Sequence, residues 1–118
     1  MCSSDLIENG SAWVEYLLKR MDKAQRAQWR VPSIGGEFKD TPSDVFREHV
    51  WVVPFYEDDV VGLSKVIGVK RTLFGSDYPH PEGVVEPVEF LKKLEGLSTP
   101  DVRRIARSNA AELLGLGA

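Results

Sequence analysis

The stretch that decides the fold runs from residue 73 to residue 83 and reads Leu73-Phe74-Gly75-Ser76-Asp77-Tyr78-Pro79-His80-Pro81-Glu82-Gly83. Its apolar start predicts a short strand from about Arg71 to Gly75, and the polar residues follow that strand directly. Catalytic groups collect at the carboxyl ends of strands in parallel α/β sheets. Asp77 is therefore a candidate to bind a divalent metal or to take a proton from metal-bound water, and His80 and Glu82 are near enough to join the same site or to shape its wall.

The same residues also make good turns. Asp-Tyr-Pro and Pro-Glu-Gly are sequences in which an aspartate caps backbone amides and a glycine permits the bend. Spacing alone therefore leaves two interpretations open for Asp77, a turn and a functional site.

Upstream of this stretch, the sequence predicts a strand and a helix. The run from His49 to Phe55 is β-branched and aromatic, and its continuous apolar centre suits a strand covered on both faces. Asp58 or Asp59 can cap the helix that follows, and Gly68 can end it in the left-handed conformation. A strand, a helix and a second strand in this order normally form a right-handed crossover with parallel strands, so we expect an α/β fold.

Three further helices are predicted. Apolar residues at helical spacing predict a helix from Ser11 to about Gln28, followed by an irregular connection between Trp29 and Pro42. Pro87 suits the first turn of another helix, and Ser98-Thr99-Pro100-Asp101 is a start signal for a last helix that ends near Gly115.

Composition excludes several classes of function. The chain has 118 residues and a formal net charge of -3, with no clustered basic field, so we expect no nucleic-acid partner. No apolar stretch approaches the roughly 20 residues that cross a bilayer, so we expect no membrane partner. Cys2 is the single cysteine, which rules out an internal disulfide and agrees with a reducing cytoplasm.

The first residues look foreign to the rest of the chain. Residues 1–6 are polar and aperiodic and run on without any start signal. We expect residues 1–6 to be a non-native leader and residues 7–118 to be the C-terminal portion of a longer domain.

The run from Phe46 to Leu116, with its Leu-Phe-Gly-Ser-Asp-Tyr-Pro-His-Pro-Glu-Gly core, resembles the end of the amidohydrolase-2 family. That family includes aminocarboxymuconate-semialdehyde decarboxylase and related aromatic-acid decarboxylases. The resemblance implies a distorted (β/α)8 TIM barrel in which a Gly-Ser-Asp motif ends strand eight and its aspartate binds a catalytic zinc or similar ion. On this resemblance Asp77 is the metal ligand. The closing stretch from Asn109 to Leu116 resembles the family's last helix.

Upstream, the residues from Glu8 to Trp13 look like the end of the family's strand six, where the decarboxylases carry a histidine and this chain carries Glu8. The family's strand-one histidine pair and strand-five histidine have no counterpart in the chain. Since a complete barrel has about 250 residues, the resemblance implies that this chain is its last part and is inactive alone. The parent would hydrolyse or non-oxidatively decarboxylate a small carboxylated or cyclic substrate, with Asp77 as ligand and proton acceptor and with His80 and Glu8 assisting.

A second hypothesis belongs to a different class of function. Two parallel strands leave their outer edges unpaired, so the chain could instead be a non-catalytic α/β fragment that self-associates into a homo-oligomer.

The remaining distinctive side chains favour structural roles. We expect His49 to be a surface or strand-boundary residue, Asn109 to have a packing role, and Trp13 and Trp51 to lie in the core. Trp29, beside the irregular connection, is left open.

Overall fold

A computed structural model of the chain describes residues 9–27, 39–81 and 83–116. The predictions made for residues 1–6, Glu8, Trp29 and Glu82 lie outside these residues. The helices are α1 Ala12–Ala27, α2 Pro42–His49 and α3 Val60–Ile67, then the 3₁₀ helices Val69–Arg71 and Pro87–Leu94, and a C-terminal helix made of the consecutive segments Thr99–Arg103, Arg104–Ser108 and Asn109–Leu113. None of the described helices has the length and apolar character needed to cross a membrane.

The helix predicted to start at Ser11 is confirmed as α1, whereas α2 was not predicted. Pro42 occupies the first turn of α2, where its missing N–H costs no hydrogen bond, and the Ser43 N–H is bound by the Asp22 carboxylate of α1 at 3.0 Å. With eight residues, α2 is too short to show a clear apolar stripe, and Phe46 is its one large buried side chain. The strand expected from His49 is wrong at its start, because His49 is the last residue of α2.

Among the described residues, the two predicted strands reduce to one isolated bridge between Val52 and Thr72. The bridge is parallel, as expected. The Val52 N–H donates to the Arg71 carbonyl and the Leu73 N–H donates to the Val52 carbonyl, and both hydrogen bonds are 2.9 Å long. The ladder stops after two bonds because the next donor on this side would be residue 54, and Pro54 has no N–H.

The helix predicted after Asp58 and Asp59 is confirmed as α3. Asp59 is the cap, and its side chain accepts a hydrogen bond from the Gly62 N–H at 2.8 Å. Gly68 ends the helix at φ +92° and ψ 146°, which is a positive φ outside the left-handed helical region that was expected. The last predicted helix is also confirmed, with Ser98 as its cap and a π-helical turn in its middle.

The buried side chains form two clusters. The first joins α1, α2 and α3 to the bridge through Val14, Leu18, Phe46, Val52, Leu63 and Ile67. The second joins the start of α3 to the Pro87–Leu94 helix and the C-terminal helix through Val60, Phe90, Leu94 and Ile105. Val52 belongs to the first cluster and Phe74 packs against the second, so the two bridged segments hold the clusters together.

Candidate functional site

The loop after the second bridged segment carries the candidate site, and packing fixes where it begins. The Phe74 ring meets the buried Phe90 ring edge-on, with centroids 4.9 Å apart. Gly75 then passes under Val53 so closely that a Cβ at Gly75 would lie 2.4 Å from Val53 Cγ1. These contacts place the chain that leads to Asp77 against the end of the neighbouring segment.

Backbone hydrogen bonds close the loop itself. The Asp77 carbonyl accepts from the His80 N–H at 2.8 Å, the His80 carbonyl accepts from the Gly83 N–H at 2.9 Å, and the Ser76 carbonyl accepts from the Val84 N–H at 2.9 Å. Gly83 is needed for this closure, because a Cβ there would lie 2.4 Å from the Asp77 carbonyl oxygen. The Tyr78–Pro79 peptide bond is cis.

The turn does not use the Asp77 side chain in its hydrogen bonds. Asp77 has a φ of +52°, which is uncommon outside glycine, and its side chain is 60% exposed. Its Oδ2 lies 3.7 Å from His80 Nδ1, close enough for an ion pair when the imidazole is protonated. Among the described residues, no backbone amide is capped by the Asp77 carboxylate: carbonyl oxygens make the turn, and the carboxylate stays accessible.

The structure therefore brings together two of the residues predicted for the site, Asp77 and His80. Glu8 and Glu82 lie outside the described residues. Within residues 9–27, 39–81 and 83–116, no three histidine, cysteine, aspartate or glutamate side chains are grouped so that they could hold a metal. A catalytic zinc takes about three protein ligands, so the described residues do not by themselves fit a metal ion.

Sequence reasoning missed a clasp at the carboxyl end of the first bridged segment. Asp58 Oδ2 accepts three hydrogen bonds, from Ser11 N–H at 2.7 Å, Ser11 Oγ at 2.8 Å and Phe55 N–H at 2.9 Å. Gly10, at φ +56°, lies so close to the Phe55 ring that a Cβ there would be 2.7 Å from it. The clasp therefore fixes the chain that precedes α1 beside the end of the first bridged segment. The sequence offers one sign of this contact, the pair of adjacent acids Asp58 and Asp59. Only Asp59 caps the helix, so Asp58 is left for another contact.

The structure agrees in part with the predictions made for His49, Trp13 and Trp51. His49 is exposed and lies 3.9 Å from the Glu48 carboxylate, as expected of a surface residue. Trp13 packs edge-on against Phe46 at 6.2 Å and adjoins the first cluster. Trp51 is only half-buried, and the Arg71 guanidinium lies 4.0 Å from the centre of its ring.

Asn109 has the structural role expected of it. The side chain is buried, and its Nδ2 donates to the carbonyl oxygens of Val69 at 2.7 Å and Thr72 at 2.8 Å. The C-terminal helix is thereby tied to the second bridged segment.

Comparisons with a family model and with solved structures agree. A family model described as amidohydrolase matches residues 9–116. The crystal structure of an amidohydrolase from Mycobacterium avium subsp. paratuberculosis K-10 is 47% identical in sequence and superposes with a TM-score of 0.81. The match covers 92% of this chain and 27% of that chain, so this chain spans about a quarter of the length of its solved relative. This chain belongs to the amidohydrolase family.

Proposed function

We propose that this chain supplies the last β/α units of a metal-dependent amidohydrolase barrel of the aminocarboxymuconate-semialdehyde decarboxylase type. The assembled enzyme would act in the cytoplasm on a small carboxylated or cyclic substrate, by hydrolysis or by non-oxidative decarboxylation. A divalent metal, zinc in our proposal, supplies the chemistry that activates water or polarises the substrate. The chain alone is inactive in this proposal, since its described residues do not complete a metal site.

One observation carries the proposal. The Asp77 carboxylate is exposed on a loop whose own hydrogen bonds are made by backbone carbonyls, directly after a segment in parallel pairing. An aspartate that makes a turn by capping would use its carboxylate on backbone amides, and among the described residues no amide binds the Asp77 carboxylate. Support also comes from family membership over residues 9–116.

The proposed roles follow from the chemistry of each group. Asp77 offers one carboxylate oxygen as a metal ligand or as a proton acceptor. His80, 3.7 Å from that carboxylate, can donate or accept a proton at its imidazole and can orient Asp77 by an ion pair when charged. Glu8, which lies outside the described residues, is proposed as an assisting acid or base.

The test uses Mn²⁺ as a paramagnetic probe of the purified 118-residue chain. We expect weak binding that broadens the amide NMR signals of residues 76–78 and of His80 before others, because one carboxylate and one imidazole make only part of a site. Asp77→Asn, which keeps the side-chain shape, should abolish that local broadening. Glu57→Gln serves as the matched control, since Glu57 is exposed and lies away from the loop in sequence.

Two results would contradict the proposal. Broadening that persists in Asp77→Asn would show that Asp77 is no ligand. A stoichiometric metal that survives gel filtration, measured by elemental analysis of the purified chain, would show that a complete site assembles from this chain alone.

A further inference from the structure

Asp77 has a backbone conformation that its surroundings must hold. Its φ of +52° lies in the left-handed region, which residues with a Cβ rarely adopt. Such a conformation persists only where contacts with the rest of the structure hold it, and residues of this kind cluster at functional sites. The Asp77 side chain binds no backbone amide among the described residues. The contacts that hold Asp77 therefore reach it through the neighbouring chain.

The residues after Asp77 set the shape of the loop. The His80 N–H donates to the Asp77 carbonyl at 2.8 Å, and the Gly83 N–H donates to the His80 carbonyl at 2.9 Å. Both bonds join one part of the loop to another, so they move with the loop. A fixed place relative to the helices needs contacts outside the loop, and the segment 72–75, which leads into Asp77, has them.

Each residue of the segment 72–75 is held by another part of the molecule. The last three contact the first bridged segment and the Pro87–Leu94 helix. Thr72, the first of the four, is fully buried, and its carbonyl accepts a hydrogen bond from Asn109 Nδ2 at 2.8 Å. Asn109 therefore fixes the place where the segment begins.

The Asn109 amide is held at both of its ends. Its Nδ2 uses two hydrogens on the carbonyls of Val69 and Thr72, at 2.7 and 2.8 Å. Its Oδ1 accepts from Arg104 Nη1 at 3.3 Å, and the same nitrogen lies 3.2 Å from the Glu112 carboxylate. Asn109 is only 1% exposed, so water does not compete for these bonds. A planar amide bound at both ends cannot rotate, and it holds the Thr72 carbonyl in one direction.

The helix that carries Asn109 departs from α-helical hydrogen bonding directly before it. Asn109 follows the π-helical turn Arg104–Ser108, and its N–H donates to the Arg104 carbonyl, five residues back. Turns of this kind are rare and are found frequently at functional sites. Their presence beside the buried amide supports a role for Asn109 beyond packing.

We propose that Asn109 is a positioning residue for Asp77. It acts through the Thr72 carbonyl, because a fixed start and the contacts of the next three residues leave the chain one path to Asp77. Asp77 thereby keeps its positive φ, and its carboxylate stays 3.7 Å from His80 Nδ1. This role rests on the proposed function, in which the Asp77 carboxylate binds a divalent metal. Residues that orient a metal ligand affect the metal affinity although they never touch the metal.

NMR spectroscopy of the purified 118-residue chain tests this role. At a positive φ the amide proton of a residue lies close to its own Hα, so Asp77 should show a strong NOE between the two. In Asn109→Ala that NOE should fall to the strength seen at residues with negative φ. The affinity of the loop for Mn²⁺, followed by the broadening of the Asp77 and His80 amide signals, should fall about tenfold, as it does when other groups that support a metal ligand are removed.

Val14→Ala is the matched control, because it destabilises the fold without removing a contact of the segment that leads to Asp77. Val14 is also 1% exposed, but it belongs to the first cluster, which contains no residue from 72 to 77. Its truncation should lower the free energy of unfolding and leave both the NOE and the Mn²⁺ affinity of the loop unchanged.

Asn109→Ser is a milder second variant that keeps the test decisive if Asn109→Ala does not fold. Its hydroxyl carries one hydrogen and so cannot bind both carbonyls, and the Asp77 NOE should weaken in the same way. An NOE that stays strong in these variants, or that weakens as much in Val14→Ala, would overturn the positioning role. Failure of the proposed function looks different: Mn²⁺ would then not broaden the loop signals even in the unmodified chain, while the NOE would still decide the role of Asn109.

Discussion

The side-chain amide of Asn109 lies 2.8 Å from the Thr72 carbonyl oxygen and donates a hydrogen bond to it, inside the protein. The same Nδ2 also binds the Val69 carbonyl, at 2.7 Å. One buried side chain thus fixes both ends of the short turn that leads into the segment carrying Asp77. The position of the candidate site therefore depends on a residue of the C-terminal helix that takes no part in its chemistry.

Asn109→Ala should destabilise the fold by about 1–3 kcal/mol, because it leaves the buried Thr72 carbonyl oxygen without a donor and removes one of the two donors to the Val69 carbonyl oxygen. The free energy of unfolding from urea titration measures the effect. Arg107→Ala is the control, since Arg107 is an exposed residue of the same helix. Equal stability of both variants would contradict the role assigned to Asn109.

Helices were predictable from the sequence where a long apolar stripe or a strong cap marks them. The stripe of α1, the Asp59 cap of α3 and the Ser98 cap of the C-terminal helix are local signals, and the structure has a helix at each. By contrast, α2 was missed. Its N-terminus is fixed by Asp22, twenty-one positions away, and no local pattern reports such a contact.

The strands were predicted too long for a related reason. The apolar run before Phe55 has strand composition, but a strand exists only where a neighbour supplies partners, and Pro54 removes the third donor of the ladder. The candidate site was predictable as far as Asp77 and His80, which lie three positions apart. Contacts between segments distant in sequence, such as Asp58 with Ser11, were not predictable, because the pair of adjacent acids leaves one carboxylate free of capping but does not identify its distant partner.

Asp58→Ala should destabilise the chain by about 1–3 kcal/mol, because Ser11 and Phe55 lose a charged acceptor that takes three hydrogen bonds on one oxygen. Thermal unfolding monitored by circular dichroism measures the loss. Glu57→Ala changes the adjacent exposed carboxylate, which no hydrogen bond of the described residues uses, and it should leave the midpoint nearly unchanged.

The amide signals of Ser11 and Phe55 provide a local check on the same variant. Both should shift strongly in Asp58→Ala and stay in place in Glu57→Ala. If the Asp58 variant is as stable as the original chain and these two signals do not move, the clasp does not form in solution.

Gly75→Ala should destabilise the chain by about 1–3 kcal/mol, because the new Cβ would lie 2.4 Å from Val53 Cγ1 and one of the two bridged segments must shift. The obstacle is a side chain, so it can be removed: in the double variant with Val53→Ala, most of the lost stability should return. A double-mutant cycle on urea unfolding measures this coupling. Gly83→Ala is the contrasting case, because its obstacle is the Asp77 carbonyl oxygen, which no side-chain substitution removes. Val53→Ala should therefore restore stability to Gly75→Ala and not to Gly83→Ala. If it restored the stability of both variants, or of neither, the contact between Gly75 and Val53 would not fix the start of the Asp77 loop.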